Sequence, residues 1–251
     1  MKWILTFTTP IFLLAQTGLE IAQMLDQKPA PKDLINNARM ILTNSKGKSR
    51  SSEMVSKSLN KNEKQMIWFL EPKDDRGVSF LKIEHENRND EMRMWLPAFK
   101  RVRRISAKKK GDYFMGSDLT FEDLSNRDLK HNTYKRLHDN VIDNIECYIL
   151  EAVPKEEAQS SYSRHISWID KKTLNLLKEN SFDNRGELQK EKRFEYELIK
   201  SFYVLKRLIV NNIIKQHSTE ITFTDIKVDV GMKNDLFHEK NLKRIPIFEN
   251  K

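Results

Sequence analysis

The chain has 251 residues, of which 38% are hydrophobic and 32% are charged, with a formal net charge of +9. This composition fits a globular protein and excludes a membrane-embedded or disordered chain. The length is enough for one large domain or two small ones. The positive charge permits acidic partners such as nucleic acid, anionic lipid head groups or lipopolysaccharide phosphates, without choosing among them.

The first residues are typical of a secretory signal. Lys2 precedes an apolar run, residues 3–15, which is shorter than the roughly 20 apolar residues that span a bilayer. We predict cleavage after Ala15, which leaves residues 16–251 as one domain; an uncleaved anchor is the alternative. No cysteine follows the run, so no lipid-attachment box is present. The protein is therefore predicted to be periplasmic, which disfavours nucleic acid as a partner.

Cys147 is the only cysteine, so the chain can form no internal disulfide. It lies in an apolar, strand-like run, residues 145–150. This position is typical of a buried small hydrophobic residue rather than a nucleophile.

The early part of the chain predicts helices. Leu19, Ile21, Ala22 and Leu25 have the spacing of a short amphipathic helix. A second helical stretch is predicted to begin near Lys32, with residues 34, 35 and 38 as its apolar positions.

From residue 39 onward, strand patterns separated by turn compositions dominate. The predicted strands are 40–43, 49–59, 65–70, 78–84, 91–96, 101–105, 134–138, 145–153, 164–170, 174–182, 189–198 and 221–230. In the last of these the apolar positions change from odd to even numbers, which predicts a bulge at Thr224 and Asp225. So many strands, mostly in hairpin succession, predict a mainly β fold with one antiparallel sheet. The sheet must curl to bury a face, and short helices over its open side would leave a hollow.

Residues 91–124 are the most informative stretch. Met92, Met94 and Leu96 share one face of a predicted strand, with charged residues and Trp95 on the other. Thr120 is predicted to cap a short helix whose apolar side is Phe121 and Leu124. Few apolar contacts would hold this helix over the hollow, so it is a candidate gate.

Two groups of side chains each have two interpretations. Large apolar residues at strand spacing usually belong to the core. In a hollow sheet they would instead line a pocket for an acyl chain. Methionines suit such a pocket because their side chains adapt to a flexible ligand. The predicted lining residues are Trp68, Phe80, Met92, Met94, Leu96, Phe121, Leu124, Ile166 and Trp168, with Phe194 and Tyr196 at similar strand positions.

A basic run between residues 100 and 110 is the second group. It is either a solvated sheet edge, where lysines discourage aggregation, or a contact with lipid phosphates or a partner protein. Its members are Lys100, Arg101, Arg103, Arg104, Lys108, Lys109 and Lys110.

Motifs for catalysis are not found in the sequence. Gly47, Lys48 and Ser49 imitate a phosphate-binding loop, but Leu42 stands where the first glycine is required. The six histidines are scattered without cysteine support for a metal site. We therefore predict no catalytic residue, no metal and no cofactor. A lipid-modifying enzyme remains a rival interpretation, and it requires a convergent polar cluster inside the hollow.

Several motifs carry a family resemblance. They are MWLPAFKRVRRI at 94–105, FMGSDLTFEDL at 114–124, FLEP at 69–72, WIDKKT at 168–173 and HST at 217–219. Through these motifs the sequence resembles the outer-membrane lipoprotein-sorting protein family, a LolA-like family. The resemblance covers nearly the whole chain after the predicted signal peptide.

The resemblance implies a half-barrel of antiparallel strands with helices over its open side. It also implies an apolar cavity for the acyl chains of lipoproteins or other lipids, and no catalytic residue. The implied function is a periplasmic lipid carrier, with an inner-membrane lipid exporter or an outer-membrane receptor as a partner. The alternative is a sensor or adaptor of a lipid-exporting pump, which would use the curved sheet as a protein-binding surface.

Overall fold

The computed structural model describes residues 16–246; the predicted signal peptide, residues 1–15, and residues 247–251 lie outside the described residues. Its one α-helix in that range is α1 (Gly18–Asp26), which confirms the first predicted helix. The capping box of Thr17 and Glu20 fixes its start, because each side chain accepts a hydrogen bond from the other residue's backbone N–H. Between residues 16 and 246, no helix combines the length and apolarity needed to cross a membrane.

The described residues form one open antiparallel sheet of 14 strands, which confirms the predicted fold class. The strands are β1 (Asp33–Thr43), β2 (Ser49–Leu59), β3 (Lys64–Glu71), β4 (Ser79–Ile83), β5 (Glu91–Leu96), β6 (Arg101–Ile105), β7 (Asn132–Arg136), β8 (Asn140–Ile142), β9 (Ile145–Pro154), β10 (Arg164–Asp170), β11 (Leu176–Phe182), β12 (Leu188–Ile199), β13 (Phe202–Asn212) and β14 (His217–Val228). Their order is β6-β5-β4-β3-β2-β1-β14-β13-β12-β11-β10-β9-β7, and β8 pairs with β9. The first and last strands therefore meet in the middle of the sheet.

The sheet curls around the segment that connects β6 to β7, residues 106–131, which we call the cover segment. Lys82 Nζ on β4 donates a hydrogen bond to the Leu124 carbonyl at 2.8 Å, and Lys190 Nζ on β12 donates to the Asp123 carboxylate at 2.8 Å. In a flat sheet, the six strand-to-strand steps between β4 and β12 would span about 29 Å. Because two adjacent residues of the cover segment reach both strands, the sheet must curl. We call the face toward the cover segment the inner face and the opposite one the outer face.

The predicted second helix is wrong. Residues Asp33–Thr43 form β1, which is paired on both sides, with β2 and β14. Ala38, Met40 and Leu42 alternate along it and are buried on the inner face. The three early apolar positions, at 34, 35 and 38, fit one helical turn as well as a strand, and pairing in the sheet decides between the two.

The predicted bulge in the last strand is confirmed. Thr224 pairs with Asn37 and Lys227 with Ile35, so β14 holds one more residue than β1 over this interval. Asp225 has a φ of 51°, in the left-handed region. The extra residue moves the inward positions from odd to even numbers.

The open side is covered by α1 and by the cover segment rather than by several helices. Ile21 and Ala22 of α1 pack against Leu150 of β9 and Ile169 of β10. The predicted short helix is a single 3-10 turn, Glu122–Leu124. Its N-cap residue is Phe121 rather than the predicted Thr120, and Phe121 makes no side-chain capping bond. Thr120 lies one residue earlier, where its Oγ1 accepts a hydrogen bond from the backbone N–H of Asp123 at 3.2 Å.

Candidate functional site

The inner face has an apolar half, which is formed by β13, β14 and β1 to β6. Phe80, Met92 and Met94 belong to it and are at most 5% exposed. The cover segment inserts Phe114 and Phe121, whose ring centroids lie 5.4 and 5.7 Å from that of Phe80. In this structure, the protein's own aromatic side chains therefore fill the space predicted as a hollow.

Six of the nine predicted lining residues lie together in this apolar cluster. They are Phe80, Met92, Met94, Leu96, Phe121 and Leu124. The period of two in β5 sets its two methionines and Leu96 inward, as the sequence predicted. Phe121 and Leu124 belong to the cover segment, so they close the apolar half rather than forming its wall. That these six residues bind a ligand stays a prediction.

Trp68 was predicted on the inner face and lies on the outer face. Its neighbours Ile67 and Phe69 point inward into the apolar cluster, so alternation along β3 turns Trp68 outward. There it is 1% exposed and packs against Phe237 and Leu242 of the C-terminal segment. Trp68 therefore belongs to the protein's core although it lies on the outer face, because β3 is buried on both faces.

Ile166 and Trp168 also lie on the outer face, contrary to the prediction. The inward positions of β10 are His165, Ser167 and Ile169, all at most 4% exposed. Trp168 is half-buried beneath Lys178, whose Nζ is 5.0 Å from the ring centroid. The apolar pattern was misleading here because two of the three side chains on the buried face of this strand, His165 and Ser167, are polar.

The inner face also has a polar half, on β10 to β12 and beneath the same cover segment. We call Asp123, Arg127, Glu179, Lys190 and Lys192 the charged cluster. Lys190 Nζ lies 2.8 Å from Asp123 Oδ2, and Lys192 Nζ lies 2.5 Å from Asp123 Oδ1. Glu179 accepts from Lys192 at 3.2 Å and from Arg127 at 3.0 Å. The two lysines and Glu179 are at most 5% exposed.

Neutral polar groups complete the hydrogen bonding of the charged cluster. The Tyr162 hydroxyl donates to Asp123 Oδ2 at 2.8 Å, and Ser167 Oγ donates to Glu179 at 2.9 Å. His165 Nδ1 lies 2.9 Å from Ser181 Oγ. Arg127 reaches the surface, with its side chain 32% exposed. The rest of the cluster is a buried network in which each carboxylate has several donors, as buried charges require.

Burial and charge shift the pKa values of several groups in this network, among them Asp123, Glu179 and His165. Burial alone would raise the pKa of Asp123, but Lys192 and Lys190 bring that pKa well below its usual range. Burial also acts to raise the pKa of Glu179, and Arg127 and Lys192 outweigh it, so this pKa too is lowered. Burial, assisted by the charge of Arg127, lowers the pKa of His165 to about 3. At neutral pH the two carboxylates are therefore charged and the imidazole is neutral.

Sequence reasoning missed the charged cluster. Lys190 and Lys192 alternate with Glu191 and Arg193 along β12, so no apolar alternation marks the buried face. The one available signal was Asp123, which lies in the same family motif as Phe121.

Two open clefts of about 300 Å³ each lie at the end of the sheet where β13 turns into β14 and β1 into β2. Asn44 and His217 line both clefts. Asp118 Oδ2 lies 2.6 Å from His217 Nδ1 and accepts from Thr219 Oγ1 at 2.8 Å. Neither cleft is bordered by a predicted lining residue. Within residues 16–246, no three histidine, cysteine or acidic side chains are placed to hold a metal ion.

The basic run follows an open edge of the sheet. Arg101, Arg103 and Arg104 are exposed on β6, which pairs with β5 alone. Lys110 Nζ lies 2.9 Å from Asp90 Oδ2, and Phe99 is 67% exposed. These positions fit a solvated edge, and a contact with an anionic partner stays a prediction.

Comparison with known proteins identifies the family. A family model with the description "Uncharacterized protein" matches residues 61–244. An outer membrane lipoprotein-sorting protein domain from Vibrio parahaemolyticus is 31% identical, with a TM-score of 0.85 over 90% of this chain and 98% of that chain. The chain belongs to the outer membrane lipoprotein-sorting protein family, as the sequence motifs predicted.

Two further solved structures are similar. A DUF1329 family protein from Desulfovibrio piger is 29% identical, with a TM-score of 0.84 over 90% of this chain and 97% of that chain. A LolA superfamily protein from Nitrosomonas europaea is 16% identical, with a TM-score of 0.72 over 90% of this chain and 99% of that chain. The second likeness shows the LolA-like fold alone. No curated protein matches the sequence.

Proposed function

We propose that this protein is a periplasmic carrier that binds the acyl chains of lipoproteins or other lipids for transfer toward the outer membrane. The observation that carries the proposal is the apolar half of the inner face, where the cover segment lies over Phe80, Met92 and Met94. Family membership supports it, since the Vibrio relative is named for lipoprotein sorting. In the loaded state, the acyl chain lies where Phe114 and Phe121 now pack.

Exchange of the cover segment for a lipid is energetically feasible. Burying one large apolar side chain contributes about 1.5–3 kcal/mol, so withdrawing Phe114, Leu119 and Phe121 costs about 5–9 kcal/mol. An acyl chain contributes about 0.8 kcal/mol per buried methylene, or about 11 kcal/mol for a palmitoyl chain. In apolar burial alone, a long chain therefore offsets the cost of withdrawing these three side chains and a short one does not.

The carrier function predicts binding without turnover. The polar cluster inside the inner face is the feature that a lipid-modifying enzyme would need. Here, however, its carboxylates are already paired with lysine and arginine side chains beneath the cover segment. We assign this cluster to structure and binding rather than to catalysis. The partners we expect are an inner-membrane lipid exporter that loads the carrier or an outer-membrane receptor that unloads it.

Native mass spectrometry of the protein purified from a cell-envelope fraction tests the proposal. We expect a chain that begins near residue 16 and carries a lipid-sized adduct, together with saturable binding of a fluorescent fatty acid. A chain with an intact Met1, or a lipid-free protein that binds no fatty acid, contradicts the proposal.

A second candidate is a sensor or adaptor protein of a lipid-exporting pump. The filling of the inner face by Phe114, Leu119 and Phe121, each at most 4% exposed, favours it. Such a protein would use the curved sheet to bind another protein and would keep its cover segment closed. Binding of a purified pump ectodomain, unchanged when lipid is removed or added, would distinguish this function from lipid carriage.

A further inference from the structure

The cover segment places apolar rings and a carboxylate side by side on the inner face, the same combination of groups that an anionic amphiphile has. Its Phe114 and Phe121 fill the apolar half, and only two residues beyond Phe121 the Asp123 carboxylate enters the polar half. One carboxylate attached to a bulky apolar group thus occupies a surface that is apolar on one side and basic on the other.

Asp123 is the carboxylate on which the two lysines depend. It is the only carboxylate within 4.0 Å of Lys190 Nζ among the described residues. Lys192 has one other partner, Glu179, which is shared with Arg127. Lys190 is completely buried, with the Tyr162 hydroxyl 2.5 Å from its Nζ.

Opening of the cover segment therefore has an electrostatic consequence. When Phe121 leaves the apolar half, Asp123 leaves with it, and Lys190 loses its counter-ion. An uncompensated lysine on a largely desolvated surface is unfavourable. A ligand that brings its own negative charge removes this penalty, whereas an uncharged lipid does not.

We propose that the ligand is an amphiphile with an anionic head group, which is held by Lys190 and Lys192 in the place of the Asp123 carboxylate. Its acyl chain lies on the apolar half around Phe80 and Met94. This inference rests on the proposed carrier function and adds the chemical class of the ligand. The recognised chemistry is a phosphate or a carboxylate, so a phospholipid and a free fatty acid are both candidates.

Displacement of the uncharged probe N-phenyl-1-naphthylamine from the mature protein tests the inference. The lipids are compared in pairs with matched chains: palmitate with hexadecanol, and dipalmitoyl phosphatidylglycerol with dipalmitoylglycerol. We expect the anionic member of a pair to bind at least about tenfold more tightly, the size of a charged hydrogen bond. A preference in one pair only identifies the head group as carboxylate or phosphate.

Two variants and one control separate charge recognition from opening of the cover segment. Lys190→Gln should reduce the anionic preference severalfold. Asp123→Asn should strengthen the binding of both members of a pair by a similar factor, because opening becomes easier while the lysines stay in place. Arg193→Gln should change nothing, since Arg193 follows Lys192 in β12 but points to the outer face with its side chain 57% exposed.

The outcomes are distinguishable. Equal binding of charged and uncharged lipids by the wild-type protein overturns the inference and leaves the carrier function intact. Failure of the probe and of all four lipids to bind overturns the carrier function itself. If Lys190→Gln does not fold, as judged by near-ultraviolet circular dichroism, the preference of the wild-type protein still decides whether the head-group charge is recognised, and Asp123→Asn still reports on opening of the cover segment.

Discussion

His165 shows how burial and charge act on one residue. It lies on the inner face of β10, is 4% exposed, and has Nδ1 3.6 Å from a Glu179 carboxylate oxygen. Despite that carboxylate, its pKa is lowered to about 3. In the unfolded chain the pKa of a histidine is about 6.5, so between these values the unfolded state binds the proton and the folded state does not.

The stability of the protein should therefore fall as the pH is lowered from 6.5. The His165 contribution to the free energy of unfolding falls by about 1.4 kcal/mol per pH unit, or about 2 kcal/mol between pH 6.5 and pH 5. Asp123 and Glu179 have lowered pKa values, so their ionisation also contributes to the free energy of unfolding. That contribution is lost as the pH falls as well, but only below about pH 4. Urea unfolding at pH 7 and pH 5 measures the effect, and His165→Gln should remove about 2 kcal/mol of the difference. An equal pH dependence in the variant and the wild type would contradict this account.

The cover segment is the element on which the proposed function depends. Phe121→Ala removes a side chain that is 4% exposed and touches Phe80 and Phe114. We expect the free energy of unfolding to fall by about 3–5 kcal/mol. The cover segment should also open more easily, so amide hydrogen exchange in residues 112–124 should accelerate and palmitate should bind more tightly.

Phe99→Ala is the matched control, because Phe99 is 67% exposed. It should change stability by no more than about 0.5 kcal/mol. Weaker palmitate binding in Phe121→Ala, with unchanged hydrogen exchange, would contradict the role of Phe121 as part of a displaceable cover.

The basic edge provides a second prediction for an element. Replacement of Lys108, Lys109 and Lys110 by Gln breaks one partly buried ion pair, that of Lys110 with Asp90. The free energy of unfolding should therefore change by about 1 kcal/mol at most, with palmitate affinity unchanged. Binding to phosphatidylglycerol vesicles at low salt should weaken, as measured by co-sedimentation. A variant that unfolds would show that these lysines are structural.

Strands and turns were predicted best where the sequence has one dominant local pattern. The alternation of Met92, Met94 and Leu96 and the bulge near Asp225 were both correct. The strand assignment failed at β1, where a few apolar residues fit both a helical and a strand period. At β10 the strand itself was predicted correctly but its buried face was not, because two of its three inward residues, His165 and Ser167, are polar. In both strands, contacts with distant parts of the sheet decide the outcome, and a local window does not contain them.

At the scale of the whole molecule, the mainly β antiparallel fold and the apolar half of the inner face could be predicted from the sequence. The charged cluster could not, because Asp123 and Lys190 are 67 residues apart and meet only when the sheet curls. The burial of Trp68 on the outer face depends likewise on the C-terminal segment, which supplies Phe237 and Leu242 as its partners.

The balance between cover segment and ligand predicts a dependence on chain length. Burial of its methylenes contributes about 5 kcal/mol to the binding of octanoate. This equals only the lower end of the cost of withdrawing the apolar side chains of the cover segment. Palmitate gains about twice as much. Fluorescence displacement with fatty acids of increasing length should therefore show negligible binding at eight carbons and a steep increase toward sixteen. A flat dependence on length would mean that the acyl chain is not buried.

The central claim, that acyl chains bind the apolar half of the inner face, is tested most directly by photo-crosslinking. The protein lacking residues 1–15 is irradiated with a palmitate analogue that carries a diazirine near its methyl end, and the adducts are mapped by tandem mass spectrometry. We predict adducts on Phe80, Met92 and Met94, reduced by competing palmitate. Adducts confined to Trp68 and Phe237 on the outer face, or adducts that palmitate does not reduce, would contradict the claim.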